Sequence, residues 1–194
     1  MKTEAHTIFT DKKTAPRYLP DFSAESVLDI DFKKLQSLGV KHMLFDLDLT
    51  IRRLHADEIE AEIIAYLVGL RDKGVIQSLN LATNNMSNKL GRFSKPLGAR
   101  VFQPFYRRGM VIRKPNARYF AKILQDLEAQ PHEVAMIGDK AMFDVAGGNK
   151  VGMVTVLVKP QGKDPLHDKV LFIRMREKRH LKAARALAAQ IQNR

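Results

Sequence analysis

The sequence of 194 residues predicts an α/β fold, with an open, mostly parallel sheet and helices on both of its faces. Short apolar runs of strand length alternate with stretches that repeat apolar residues at helical spacing, which is typical of parallel sheets. In addition, three of these runs end just before a polar residue, at Asp46, Thr83 and Asp139. Parallel sheets bind ligands at the carboxyl ends of their strands, so we expect these three residues at one edge.

The predicted elements follow one another without an internal repeat. The strands are expected at 40–45, 75–82, 100–102, 134–137 and 153–158, and the helices at 31–38, 57–73, 88–97, 115–127 and 142–149. Gly39 and Gly74 directly follow the first two helices, where glycine is favoured. Pro115 is expected at the first position of its helix, where an amide donor is not needed.

The chain is expected to divide into an extended arm at 1–20, one domain at 21–165 and a basic amphipathic helix at 166–194. The longest apolar run, Ile63 to Leu70, is too short to cross a bilayer. The N-terminus lacks the apolar core of a secretory signal. No cysteine is present, which excludes disulfides, zinc–thiolate sites and thiol nucleophiles. We therefore expect a cytoplasmic protein.

The net charge of +12 predicts an anionic partner: nucleic acid, anionic lipid or a phosphorylated substrate. Residues 169–194 contribute +7 of this charge. Their apolar residues approximate one helix face that is broken at Glu177, namely Val170, Ile173, Leu181, Ala184, Leu187, Ala188 and Ile191. Such a helix either lies peripherally on an anionic membrane or packs its apolar face on the core. Low aromatic content and the lack of a recognition motif disfavour nucleic acid.

Asp46 and Asp48 are two residues apart in extended chain, so their carboxylates project to the same side, roughly 6–7 Å apart. One carboxylate can attack phosphorus and form an aspartyl-phosphate. The other can protonate the leaving oxygen and then deprotonate the water that releases phosphate. Taken alone, such a pair is far more often an acidic surface at a strand end than a catalytic pair.

Thr83, Asn84 and Lys114 are candidates for binding the phosphoryl group. A hydroxyl and free backbone amides at a strand-to-helix turn suit a phosphoryl oxygen, although Thr and Asn are also common helix caps. Lys114 precedes Pro115 and can neutralise phosphoryl charge, although a solvated surface lysine is the commoner case.

Asp139 and Asp144 complete the set. Asp139 with Asp46 can supply oxygen ligands for Mg²⁺, and Asp144 can hold a metal-bound water or orient Lys114. The gaps between Asp46, Thr83, Lys114 and Asp139 are 37, 31 and 25 residues, and the first two suit one strand–helix–strand step each.

In this order the residues resemble the four motifs of the haloacid dehalogenase (HAD) superfamily of phosphatases. The runs 137–149 and 155–158 resemble the YqeG family of HAD subclass IIIA, which is related to mitochondrial phosphatidylglycerophosphate phosphatase. The resemblance implies Asp46 as nucleophile and Asp48 as general acid and base. It also implies Mg²⁺ held by Asp46, the Asp48 backbone carbonyl and Asp139, with Asp144 in support.

Three positions depart from the family pattern: Leu49, Lys140 and Phe143 stand where Asn or Gly, Gln, and Thr are usual. The short gaps between motifs leave no room for a large cap domain, so an open site is expected. An open site suits a phosphate on something large, with an anionic phospholipid favoured. A phosphoprotein, a nucleic-acid phosphate and a non-catalytic basic binding module are the alternatives.

Overall fold

The computed structural model describes residues 4–5, 17–166, 168 and 171–192. Its strands are β1 (Glu4–Ala5), β2 (Phe22–Ala24), β3 (His42–Phe45), β4 (Ser78–Ala82), β5 (Arg100–Phe102), β6 (Phe105–Arg107), β7 (Met110–Ile112), β8 (Val134–Gly138) and β9 (Val154–Val158). Its α-helices are α1 (Phe32–Ser37), α2 (Ala61–Asp72), α3 (Gly91–Leu97), α4 (Ala117–Leu127), α5 (Ala146–Val151) and α6 (Ile173–Gln192).

Seven strands form one sheet in the order β1-β2-β9-β8-β3-β4-β5. The pairs from β2 to β5 are parallel, and β1 adds an antiparallel edge. β6 and β7 form a separate antiparallel hairpin. The predicted α/β fold is therefore confirmed. Within the described residues, only α2 separates β3 from β4, and only α3, β5 and the hairpin separate β4 from Lys114, so neither interval contains a large cap.

Alternate residues of the central strands face the two sides of the sheet, as the two-residue period of a strand requires. Met43 and Phe45 of β3 enter the core layer beneath α1, α2 and α3, whereas Leu44 enters the layer beneath α4 and α5. In β8, Ile137 enters the layer beneath α1, α2 and α3, and Met136 enters the layer beneath α4 and α5. Burial on both faces explains why these strands are continuous apolar runs.

Several predicted boundaries shift. α4 begins at Ala117, two residues after the predicted start, because the Asn116 side chain caps it by accepting a hydrogen bond from the Arg118 amide at 2.9 Å. The predicted helix at 142–149 divides into a π-helical turn, Ala141–Val145, followed by α5. Within the predicted arm, 4–5 form a strand, whereas 1–3 and 6–16 lie outside the described residues.

The C-terminal helix is present from Ile173 and continues past Glu177, the acid that interrupts its apolar face. Glu177 is buried on the same face as Ile173, and its Oε1 accepts a hydrogen bond from the Met142 amide at 3.0 Å. Ala184 and Ala188 of this face pack against Leu19. Among the described helices, none combines the length and apolarity needed to traverse a bilayer.

Candidate functional site

The candidate site lies where the chain changes direction across the sheet. β3 is central: the chain proceeds from it to β4 and β5 on one side and returns to β8 and β9 on the other. Asp46 directly follows β3 and Asp139 directly follows β8, and the Asp46 amide donates to the Ile137 carbonyl at 2.8 Å. Such a switch point opens a crevice at the carboxyl ends of the strands.

Lys114 connects two of the acids. Its Nζ lies 2.7 Å from Asp46 Oδ1 and 2.7 Å from Asp144 Oδ1, and 2% of its side chain is exposed. Burial would lower the pKa of the Lys114 ammonium, but the charges of Asp144 and Asp46 outweigh it and raise the pKa above its ordinary value. The lysine is thus a buried, charged group that holds the predicted nucleophile in place, not a solvated surface lysine.

Asn84 and Thr83 line the cleft beside Lys114. The Asn84 side chain accepts from the Lys114 amide at 3.0 Å and donates to the Lys114 carbonyl at 3.2 Å, so it fixes the backbone that carries the lysine. Thr83 Oγ1 accepts from the Asn85 amide at 3.1 Å. That bond leaves the hydroxyl hydrogen available to a ligand oxygen.

Asp144 is fully buried in the π-helical turn, where its Oδ2 accepts from the Lys140 amide at 3.1 Å. Gly138 makes room for it, because a Cβ at position 138 would overlap the Asp144 carboxylate. Gly147 likewise lies against the Phe120 ring, where a Cβ would overlap it. At both glycines, therefore, the absent side chain permits a close approach between backbone and a neighbouring side chain.

We expect Gly138→Ala to displace the Asp144 carboxylate and to weaken the ion pair with Lys114. The free energy of unfolding should fall by about 1–3 kcal/mol, as for other overpacked sites. Turnover should fall by about 10²-fold, because Asp144 helps to hold Lys114, which in turn holds the predicted nucleophile Asp46. Chemical denaturation and phosphate release measure the two effects.

Gly69→Ala is the matched control, since Gly69 lies inside α2 and a Cβ there meets nothing within 4 Å. It should stabilise the protein by about 0.5–1 kcal/mol and leave turnover unchanged. Equal effects of the two substitutions would contradict the close approach at Gly138.

Asp139 lies beside Thr50 and Arg174. Thr50 Oγ1 donates to its Oδ1 at 3.3 Å, and Arg174 pairs with its Oδ2 while donating to its backbone carbonyl at 2.5 Å. Burial raises the pKa of Asp139 to about 6; the charge of Asp46 adds to the rise, and Arg174 opposes it. One carboxylate oxygen from each of Asp46, Asp139 and Asp144 lies within 4.8 Å of the others. This buried acidic group can hold a divalent cation.

Asp48 is more exposed than the other acids, and Arg52 fixes its position. Arg52 Nε donates to Asp48 Oδ1 at 2.8 Å, and Nη2 bonds the same oxygen. The guanidinium also donates to the Ala56 carbonyl at 2.5 Å and lies over the Phe93 ring, 4.3 Å from its centroid. Asp48 therefore stands at the cleft wall in a fixed orientation.

These side chains border an open cleft of about 390 Å³. Its lining includes Asp46, Asp48, Thr83, Asn84 and Lys114, so the predicted catalytic and substrate-binding residues meet in one place. Asp139 and Asp144 are buried and are not among the lining residues. Pro165, Leu171 and Ile173 form part of the wall, which brings the C-terminal segment to the site.

Comparisons with known proteins agree with this arrangement. A family model described as HAD-hydrolase-like matches residues 111–169. "Probable phosphatase YqeG" of Bacillus subtilis is 29% identical over 143 residues, which cover 74% of this chain and 78% of that protein. These matches confirm the resemblance to the HAD superfamily. The resemblance to the YqeG family is thereby confirmed, and the enzyme is a phosphoric monoester hydrolase.

Two other curated proteins are matched over less of their length. Chloroplastic phosphatidylglycerophosphate phosphatase 1 of Chlamydomonas reinhardtii is 28% identical over 73% of this chain and 53% of that protein. Glyceraldehyde 3-phosphate phosphatase of Methanopyrus kandleri is 27% identical over 62% of each. The fold is shared with an uncharacterized protein from Listeria monocytogenes at a TM-score of 0.51 and 13% identity, over 70% of this chain and 99% of that one.

The structure shows the surroundings of two of the three residues that depart from the HAD pattern. Leu49 has a φ of 65°, a left-handed conformation that costs most side chains about 1–2 kcal/mol and suits Asn or Gly. Its side chain is buried, which offsets this cost. Lys140 extends toward Asp168, with Nζ 2.6 Å from Oδ2, so its charge is shared with an acid of the C-terminal segment.

The sequence alone did not indicate that Arg52, Arg174 and Glu177 belong to this site. Arg174 and Glu177 counted only as tail charges, although Arg174 Nη1 lies 3.1 Å from Glu177 Oε2 and both contact the turn after β8. An arginine four residues after the second acid was a local signal for Arg52. No local signal marks Arg174, because its partner Asp139 is 35 residues away.

Proposed function

We propose that the enzyme is a Mg²⁺-dependent phosphatase that dephosphorylates phosphatidylglycerophosphate through an aspartyl-phosphate on Asp46. The observation that supports it best is the buried Lys114, which fixes Asp46 at the floor of an open cleft. In the first step, an Asp46 oxygen attacks phosphorus and the ester P–O bond breaks. Asp48 gives its proton to the leaving oxygen, and Arg52 holds Asp48 in position.

In the second step, Asp48 takes a proton from a water molecule as the water oxygen attacks phosphorus. The bond between phosphorus and Asp46 breaks, and inorganic phosphate leaves with the carboxylate restored. Lys114 carries a fixed positive charge next to the reacting carboxylate throughout, and the Thr83 hydroxyl donates to a phosphoryl oxygen. The proton that Asp48 gives up in the first step is thus regained by Asp48 in the second.

The acidic group fits a hard divalent cation, because it offers only oxygen donors, close together and buried. Asp46, Asp139 and the Asp48 backbone carbonyl would hold Mg²⁺, with Asp144 in support. The bound ion would neutralise charge on the phosphoryl oxygens. Arg174 already pairs with Asp139, so the guanidinium and the cation would share that carboxylate.

A lipid phosphate is favoured by the open cleft, by the net charge of +12 and by the similarity to a phosphatidylglycerophosphate phosphatase. The proposal places the enzyme in the cytoplasm, in peripheral contact with the inner face of the membrane. A capless phosphatase for a phosphoprotein or a nucleic-acid phosphate remains the alternative, because an open cleft admits those substrates too.

Divalent-metal binding should depend on pH. The folded-state pKa of Asp139 is raised from 3.8 to about 6, so without metal this group stabilises the protein at low pH, and the contribution is lost as pH rises through about 6. Mg²⁺ binds the ionised carboxylate, so the stabilisation that bound Mg²⁺ provides increases as pH rises. We expect MgCl₂ to raise Tm clearly at pH about 7.5 and little at pH about 5.

Sodium chloride at equal ionic strength is the control for screening, and Asp139→Asn should abolish the response at both pH values. The same increase in Tm at pH about 5 as at pH about 7.5 would contradict a metal site on these carboxylates.

A substrate panel at fixed Mg²⁺ tests the substrate assignment. Phosphatidylglycerophosphate in vesicles is compared with a soluble phosphate ester, a phosphopeptide and a 5′-phosphorylated oligonucleotide. The highest kcat/KM is expected for the lipid. Faster release from the phosphopeptide or the oligonucleotide would replace the lipid assignment with the alternative and leave the chemistry unchanged.

A further inference from the structure

Exposed large apolar side chains gather near the mouth of the cleft. Ten such side chains are exposed among the described residues, and seven of them lie in just two segments. The β6–β7 hairpin contributes three, and the stretch leading into α6, together with the first turn of that helix, contributes four. We refer to these seven as the rim: Tyr106, Met110, Val111, Leu166, Leu171, Phe172 and Met175. Clusters of this kind mark interaction surfaces, whereas single exposed apolar residues do not.

Both segments border the entrance to Asp46. Arg113 directly follows β7 and lines the cleft, and Leu171 of the rim lines the same cleft. The hairpin is not part of the main sheet, so its apolar tip is not covered by a neighbouring strand of that sheet. Tyr106 is 67% exposed and Phe172 is 61% exposed, although aromatic side chains are usually covered.

The charges that accompany the rim are positive. The hairpin carries exposed Arg107 and Arg108, and no acidic residue occurs from Phe105 to Arg113. On the C-terminal side, Arg176 is exposed, whereas Glu177 is buried and bonded to the Met142 amide. The other two acids of this segment are also paired and largely covered: Asp164 with Arg174, and Asp168 with Lys140. Outward-facing charge at the mouth is therefore basic on both sides.

We propose that the rim docks on the surface of an anionic lipid bilayer, so that the cleft opens onto the lipid headgroups. Apolar side chains flanked by arginines match such an interface, in which acyl chains take the apolar groups and lipid phosphates take the guanidinium groups. The apolar face of α6 packs on Leu19 and is therefore not available to a membrane. The rim makes the membrane contact. This inference rests on the proposed function, since docking on a bilayer brings the cleft to its substrate only if that substrate is a lipid phosphate.

Vesicle binding tests the inference without any turnover. The vesicles contain phosphatidylcholine alone, or phosphatidylcholine with one part in three phosphatidylglycerol, and neither contains a phosphate monoester. The triple variant Tyr106→Ser/Met110→Ser/Phe172→Ser should lose at least about tenfold in partition to the anionic vesicles. Leu38→Ser is the matched control: Leu38 is an exposed leucine near the amino end of β3, and its loss should change nothing.

Charge and assembly are tested in the same assay. Arg107→Glu/Arg108→Glu should also reduce partition at least about tenfold, since each basic residue near an anionic surface contributes to attachment. Hydrolysis of a soluble ester should be unchanged in both rim variants, which shows that the site is intact. Unchanged partition of the triple variant, or equal binding of the wild type to both vesicles, would overturn the inference.

The remaining outcomes separate the inference from the proposed function. Rim-dependent vesicle binding without hydrolysis of any lipid phosphate would retain the docking surface and reject the lipid substrate. Hydrolysis of detergent-dispersed lipid phosphate without vesicle binding would reject the docking surface alone. Self-association that the triple variant abolishes, in the absence of vesicle binding, would overturn the inference in favour of a second copy of the chain on the rim.

Discussion

Asp46→Asn is expected to lose at least about 10⁴-fold in phosphate release while it remains folded. The amide cannot form the aspartyl-phosphate, so the covalent route is closed. Stability should change by less than about 2 kcal/mol, because Lys114 keeps Asp144 as its charged partner and the asparagine oxygen can still accept its hydrogen bond. Steady-state phosphate release and chemical denaturation measure the two quantities.

Asp57→Asn is the matched control for this substitution. Asp57 lies in the same loop between β3 and α2, but its side chain is 83% exposed, so we expect wild-type turnover. Phosphate release by Asp46→Asn within tenfold of the wild type would contradict a nucleophilic role for this carboxylate.

Lys114→Met is expected to have the largest effect on stability. The substitution leaves Asp46 and Asp144 buried without the ammonium that lies 2.7 Å from each. Removal of one partner from a buried ion pair costs about 3–5 kcal/mol. Turnover should also be lost, since Asp46, the proposed nucleophile, is no longer held in position. Lys122→Met, at a half-exposed lysine paired with Asp126, should change stability by less than about 0.5 kcal/mol.

A double-mutant cycle separates the ion pair from the effect of side-chain size. Lys114→Met/Asp144→Asn removes both charges, and the asparagine oxygen can still accept from the Lys140 amide. We expect the double variant to recover about 2 kcal/mol relative to additive losses, with turnover still absent. Additive losses would mean that Lys114 and Asp144 do not interact in the folded protein.

The sequence was sufficient for the parts of this enzyme that depend on local pattern. β3 and β8 were predictable because burial on both faces requires continuous apolar runs, and Asp46 and Asp139 follow them directly. The hairpin β6–β7 was missed because a two-stranded ribbon that leaves the sheet has little buried apolar pattern. β2 was missed because only Phe22 of its three residues is buried.

The electrostatics of the site depended on contacts between distant segments. No local pattern distinguishes the buried Lys114 from a surface lysine, because its partners lie 68 residues before it and 30 residues after it. The pairing of Arg174 with Asp139 spans 35 residues and arises only when the chain brings α6 to the end of β8. The sequence of the C-terminal segment is typical of a basic amphipathic helix. It nevertheless contains Arg174, which contacts Asp139, a predicted metal ligand.

Mass spectrometry of the acid-quenched enzyme during turnover tests whether Asp46 carries the covalent phosphoryl group. Wild-type enzyme mixed with substrate and Mg²⁺ should carry one phosphoryl group on the peptide that contains Asp46, and Asp46→Asn should carry none. A phosphoryl group on another residue of the wild type, or labelled Asp46→Asn enzyme, would contradict the assignment of Asp46 as the nucleophile.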